Sequence, residues 1–194
     1  MTAARDQILQ TTGSLLERQG YHATAMSEIL QTSGAPKGSL YYYFPGGKEE
    51  LAEAAIRESA RAMTGHIRAN LSLQPDPLDA IPNFVRRIAD RVEAAEFSAG
   101  GPLTAVAMET AADGGRLNLA CRAAFGEIEA VFAEKLSAAG GCPADTANRL
   151  AVFITAAIDG GVLLSRTAHS GDPLRTVADL LELTLRSALS TSEV

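Results

Sequence analysis

No tryptophan occurs anywhere in the chain, histidine appears three times and cysteine twice. His22, His66 and His169 are far apart, and no H-E-x-x-H, G-x-S-x-G or G-x-G-x-x-G pattern is present, so no catalytic constellation is visible. We expect no enzyme, no cofactor and no metal. Cys121 and Cys142 supply neither a disulfide framework nor metal-ligand spacing, and read as thiols in a reducing compartment. The opening "MTAARDQILQ" lacks the apolar stretch of a signal peptide. The longest apolar run near the C-terminus, "LAVFITAAI", stops at Asp159, short of the roughly 20 residues a membrane span needs. A cytoplasmic protein without a membrane partner is the expectation.

Excess basic charge is also lacking. A net charge of −6 and a pI near 5.1 argue against a nucleic-acid coat protein or a membrane-surface binder. The charge is uneven, however. Residues 1–48 carry four basic and three acidic side chains, whereas residues 49–194 carry 13 basic and 20 acidic ones. The N-terminal quarter is thus the part not biased against polyanions.

What is present favours helix: 35 alanines, with few β-branched runs. Ile8, Thr12, Leu15 and Leu16 recur at helical spacing, so residues about 3–19 should form an amphipathic helix ended by a left-handed Gly20. Thr24 offers an N-cap hydroxyl to a short second helix holding Met26, Ile29 and Leu30. After "QTSGA", Pro36 suits the first position of a third helix, which cannot pass Pro45. Long helix, short helix, Gly-containing turn and short helix give the outline of a helix-turn-helix module. Further helices are expected at 48–71, at 80–97, after "AGGP", after "DGG", after "GGCP" and after "SGDP", the last ending near Leu189. The fold class is all-α, with about nine helices and no convincing strand.

Three of the four tyrosines stand side by side in "KGSLYYYFPGGKEEL", residues 37–51. On a helical wheel at about 100° per residue, Leu40 and Phe44 define the buried side and Tyr43, about 60° from Leu40, can be half buried. Gly38, Ser39, Tyr41 and Tyr42 point outward, with Lys37 at the exposed start. Gly38 has no side chain to hold the helix off a surface. Tyrosine rings can meet thymine methyls, their hydroxyls can meet phosphates, and Lys37 can donate to a guanine edge or a phosphate. The first turn also presents backbone N–H groups to a phosphate. A phosphate loop at "GGK" is a poor rival. The Gly four residues ahead is missing, no Ser or Thr follows Lys48, and no strand precedes it.

"GYHAT", "KGSLYYYF" and "KEEL", in that order and spacing over residues 5–55, resemble the DNA-binding domain of the TetR family of transcriptional repressors. The "FPGGKEEL" form, one residue longer than the commoner one, resembles the LmrA/YxaF-like subgroup. Two departures stand out: Pro36 replaces a capping Ser and Tyr43 replaces a His. The resemblance implies base-edge contacts from Lys37, Gly38, Ser39 and Tyr42, and phosphate contacts from Thr24, Tyr41, Tyr43 and Lys48. It also implies a DNA-binding domain at 1–48, and an effector-binding and dimerisation domain at 49–194. The partners would be operator DNA, a small effector and a second copy of the chain. Drug-like or flavonoid-like effectors and efflux or detoxification targets follow from the subgroup by analogy. A helical ligand carrier without DNA binding, or an activator, would be the alternatives to a repressor.

In the remaining two-thirds, Phe84, Ile88, Phe97, Met108, Phe125, Ile128, Phe132 and Phe153 recur at helical spacing, and either line an apolar pocket or form plain core. The segments "LAVFITAAIDGGVLLS" and "VADLLELTLRSAL" are too apolar to face water over any wide arc. Phe153, Ala157, Gly160, Gly161, Leu164, Leu181 and Leu185 are expected in a four-helix interface between two copies. The two glycines disfavour helix, and close approach of another helix would offset that.

Overall fold

The computed structural model describes residues 3–98, 102–112, 114–138 and 142–190. Among these there are nine helices and no strand: α1 (Ala3–Ala23), α2 (Met26–Ser33), α3 (Lys37–Tyr43), α4 (Gly47–Leu71), α5 (Pro77–Ala94), α6 (Pro102–Thr110), α7 (Arg116–Ala138), α8 (Ala144–Ala168) and α9 (Asp172–Ser190). The all-α expectation holds. The expected breaks in part fall outside the described residues, at 99–101, 113 and 139–141. Two compact units are present, Met1–Ala62 with Gly101–Phe125, and Met63–Gly100 with Gly126–Val194. Compactness therefore does not divide the chain at residue 48. It groups α6 and the start of α7 with the N-terminal helices.

In the first unit, α1 lies against α2, α3 and α6. The apolar spacing explains why: Ile8, Leu9, Leu15 and Leu16 are all buried, together with Ile29 of α2, Leu40 of α3, Leu51 and Ile56 of α4, and Leu103 and Val106 of α6. Thr12 shares this buried stripe because its hydroxyl donates to the Ile8 carbonyl at 2.8 Å. The helix is interrupted at Gly20, as expected, but not by a left-handed cap. Gly20 has φ 78° and ψ −177°, an extended conformation at positive φ that is essentially reserved for glycine, and one more turn follows it.

The second unit is built on α5, α8 and α9, each packed against the other two. Helix α5 starts three residues earlier than the apolar pattern suggested. The Asp76 carboxylate accepts from the Leu78 N–H at 2.8 Å, and Pro77 fills the first turn. It also ends earlier, at Ala94, and Phe97 lies beyond it at φ 60°. The apolar face of α5 (Ile81, Phe84, Val85, Ala89, Val92) meets Leu174, Ala178, Leu181 and Leu185 of α9 and Ile154 of α8 in a common buried core. At its rim Arg175 binds Glu93 at 2.7 Å and Asp90 at 3.1 Å, while Arg86 binds Asp179 at 2.8 Å and Glu182 at 3.3 Å.

Gly161 and Gly160 divide their work. A Cβ at Gly161 would stand 2.9 Å from Leu174 Cδ2 and 3.3 Å from Val177 Cγ2, so this glycine lets α9 approach α8 within one protomer. A Cβ at Gly160 would meet nothing. The uninterrupted apolar run at 150–158 ends at Asp159, but the helix does not. It continues to Ala168, long and apolar enough by length and composition to cross a membrane. One arc of that helix is buried on α5 and α9.

Two outcomes test this packing. Gly161→Val should destabilise the protein by about 1–3 kcal/mol, the range for overpacking a close contact, read as a lowered midpoint in urea. The Arg175 guanidinium and the Gly171 N–H hold the Glu93 carboxyl down at about 2, against 4.5 ordinarily. A carboxyl depressed on folding adds stability that is complete above its unfolded value and lost as pH falls through the folded one. Glu93→Gln should therefore lower the Tm at neutral pH, with the difference closing as pH falls from about 5 to about 2.

Candidate nucleic-acid interface

Helix α3 has seven residues and is anchored on one side only. Leu40 and Phe44 are buried, the latter with the Arg5 guanidinium 5.7 Å from its ring centroid. The Gly34 N–H closes α2 by donating to the Leu30 carbonyl, with Gly34 left-handed at φ 63°, and that turn delivers the chain into α3. Pro36 does not occupy the first helical position. Its ψ of 137° is extended, making it the N-cap residue, so Lys37 opens the helix. A proline has no side-chain acceptor, and the Ser39 N–H turns back to the Pro36 carbonyl at 2.9 Å.

The outward face matches the wheel. Lys37 and Gly38 are exposed, Ser39 is partly exposed, and Tyr41 and Tyr42 are 47% and 79% exposed. Tyr43 is half-buried and meets Tyr42 edge-on at 5.1 Å, which steadies the outer ring. Beyond its chain neighbours and the backbone of its own helix, no protein atom lies within 4 Å of where a Gly38 Cβ would stand. The fold therefore has no need of glycine there, although a helix interior disfavours it.

Thr24 and Lys48 depart from expectation. Thr24 is buried, and its hydroxyl donates to the Gly20 carbonyl at 2.6 Å, so it neither caps α2 nor faces outward. Ala25 is the N-cap residue instead, without a side-chain bond. Lys48 Nζ lies 4.3 Å from the Tyr21 ring centroid and donates to the His22 carbonyl at 3.4 Å. Burial pushes its ammonium below the usual range, opposed by the Glu109 carboxylate. No local pattern singles out Glu109. It stands on α6, and its Oε2 accepts from the N–H of Tyr21 at 2.9 Å and of His22 at 2.8 Å.

The expected effector residues do not gather into one lining. Met108 and Phe125 belong to the first unit, and Met108 is 75% exposed. In the second unit Phe84 and Phe132 are buried and pack on each other at 6.2 Å, as core, and Ile128 is buried with them. Ile88 is half-buried. The Phe97 ring meets His169 at 5.2 Å while its carbonyl accepts from Arg166. An open depression of about 390 Å³ is lined by Thr146, Arg149, Leu150, Phe153 and Thr184, so of the eight residues Phe153 alone contributes to it. The Cys121 thiol is pushed up to about 11 by burial, away from the thiolate form that a nucleophile needs. No group of three His, Cys, Asp or Glu among the described residues could hold a metal ion.

The expected interface residues split between two faces. Phe153, Gly160 and Leu164 are exposed and Ala157 is half-exposed, whereas Gly161, Leu181 and Leu185 are buried inside the protomer. On α9 the exposed large apolar residues are Leu180 and Leu183, one and two positions before the expected Leu181 and Leu185, and on α8 Val152 and Leu163 join them.

Comparison with known proteins agrees with this geometry. Residues 8–55 match the model for bacterial regulatory proteins of the tetR family. Residues 77–180 match the C-terminal domain of LmrA/YxaF-like transcriptional regulators. The chain is 38% identical to the uncharacterized HTH-type transcriptional regulator YxaF of Bacillus subtilis over 183 residues, 94% of this chain and 95% of that protein. It is 35% identical to the HTH-type transcriptional regulator LmrA of the same organism over 92% of this chain and 94% of the relative. Among solved structures, a TetR transcriptional regulator from Chloroflexus aurantiacus aligns with a TM-score of 0.78 and 26% identity over 94% of each chain. The regulator CifR, solved with a 26-bp double-strand operator DNA, shares the fold at a TM-score of 0.74 and 23% identity, over 91% of this chain and 94% of its own. The chain therefore belongs to the tetR family, in its LmrA/YxaF-like branch, and is a DNA-binding transcriptional regulator of the helix-turn-helix type, not an enzyme.

Proposed function

We propose that the chain is a ligand-responsive repressor that acts as a homodimer in the cytoplasm, binds a pseudo-palindromic operator, and is released by a small apolar or aromatic effector. The observation that carries this is the outward face of α3, where an exposed Gly38 and two exposed tyrosines serve no purpose within the fold. Residues 1–48 are the DNA-reading part and residues 49–194 the effector-binding and dimerisation part. Lys37, Gly38, Ser39 and Tyr42 face base edges, and Tyr41 and Tyr43 face phosphates. Thr24 and Lys48, engaged within the protein, support the module; any phosphate contact from Lys48 requires its side chain to leave the Tyr21 ring.

One helix of two turns reads few base pairs, so specificity needs two copies about one DNA turn, roughly 34–36 Å, apart. The exposed apolar stripe of α8 and α9 (Val152, Phe153, Leu163, Leu164, Leu180, Leu183) supports pairing through a four-helix interface, with Gly160 at its closest approach. An effector that binds one dimer geometry better shifts the spacing of the two reading helices and lowers operator affinity by the coupling energy. Helix α4 carries the change, since it begins beside α3 and runs 25 residues.

Selection of bound fragments from the source genome at physiological salt tests the whole reading. Enrichment of one pseudo-palindrome is expected; enrichment of nothing, after refolding to strip any co-purified effector, would sink it. Gly38→Ala should raise thermal stability, because glycine disfavours a helix interior by up to about 1 kcal/mol, yet lower operator affinity at least tenfold through lost approach. Tyr42→Ala should lower affinity without changing the circular dichroism spectrum, and unchanged binding would remove that residue from the interface. Gly160→Leu should leave the protomer folded but shift sedimentation from dimer to monomer. A dimer that persists would place the interface elsewhere.

A further inference from the structure

Where α1 breaks at Gly20, the next two N–H groups are among those a helix start leaves without an internal partner. Glu109 supplies that partner from α6, 87 and 88 positions along the chain, with one carboxylate oxygen accepting both. The fit is close: any Cβ on residue 20 would overlap the Glu109 carboxylate, and the Gly20 backbone conformation is one that residues with side chains rarely adopt. A glycine hinge has little local restraint of its own, so its φ and ψ are set by what grips the residues after it. On the far side of the hinge, Thr24 donates back to Gly20 and α2 starts two residues later. The Gln19 side chain ties the end of the first helix to the Ala23 carbonyl at 3.3 Å and to Glu28 of α2 at 2.7 Å. Lys48, at the start of α4, holds the same corner through the Tyr21 ring and the His22 carbonyl.

We propose that Glu109 is a positioning residue for DNA reading: its grip on the Tyr21 and His22 amides fixes the angle at which α2, and with it α3, leaves α1. The inference rests on α3 being the base-reading helix. It also makes α6 an element whose movement reaches the reading face without passing through α4.

Charge makes the test decisive. Removing a carboxylate from a DNA-binding protein cannot weaken binding by electrostatics, because it lowers repulsion of the phosphates. A loss of affinity must come through geometry. Glu109→Gln keeps an acceptor but not the charge, and Glu109→Asp keeps the charge but withdraws it by one methylene. Both should lose roughly tenfold in affinity for the selected operator duplex, with binding to a scrambled duplex of equal length unchanged or tighter. The amide signals of Tyr21 and His22 should shift in both, and those of Lys37–Tyr43 should shift with them. Operator affinity equal to the parent's, or shifts confined to residues 20–24, would overturn the proposal. If the parent protein selects no duplex, the DNA reading itself has failed, and the α3 amide signals alone decide whether Glu109 positions that helix.

Discussion

Seven residues are too few for a helix to persist in water, because the cost of nucleating a turn is recovered only over a dozen or more positions. Helix α3 exists because Leu40 and Phe44 are buried on one side and the turns at Gly34 and Pro45 set its limits. The face proposed to read DNA hangs on those two anchors. They fix the rotation of the helix about its axis, and so decide that Gly38 and Tyr42 face out while Tyr43 lies half under. A rotation of one residue would bury a tyrosine hydroxyl and expose a leucine.

The support behind α3 is of a different kind. Buried leucines and isoleucines of α1 hold the first unit together, but they are non-directional and tolerate small rotations. Direction comes from polar groups gathered at the corner after Gly20, where Glu109, Gln19, Thr24 and Lys48 converge on five residues. Hydrogen bonds to charged groups are short and orientation-dependent. The fold thus separates what gives cohesion from what gives aim.

How much of this is legible in the sequence follows the range of each interaction. The wheel for residues 36–44 predicts the exposed face because every residue involved is a neighbour. Pro36 is misplaced by one position because its fixed φ suits either side of a helix start. Thr24 is read as a cap since the residue type allows it, but its hydroxyl finds a carbonyl four residues back instead. Glu109 is invisible: nothing local ties it to Tyr21. On α9 the expected face is wrong: Leu181 and Leu185 are buried, and Leu180 and Leu183 are the exposed apolar residues. A helix that is apolar nearly all round gives no phase to its own pattern. For the same reason the aromatic spacing in α5 and α7 cannot distinguish a lining from a core, and Phe84 and Phe132 prove to fill each other's space.

The engagement of Lys48 has a bearing on how the regulator behaves in a living cell. Of the charged groups expected on the reading side, one is held against a tyrosine ring, and the cation that α3 itself carries is Lys37. The remaining donors are neutral hydroxyls and amides, which grip phosphates without releasing condensed counterions. Under the proposed set of contacts, binding built that way would depend on ionic strength only shallowly.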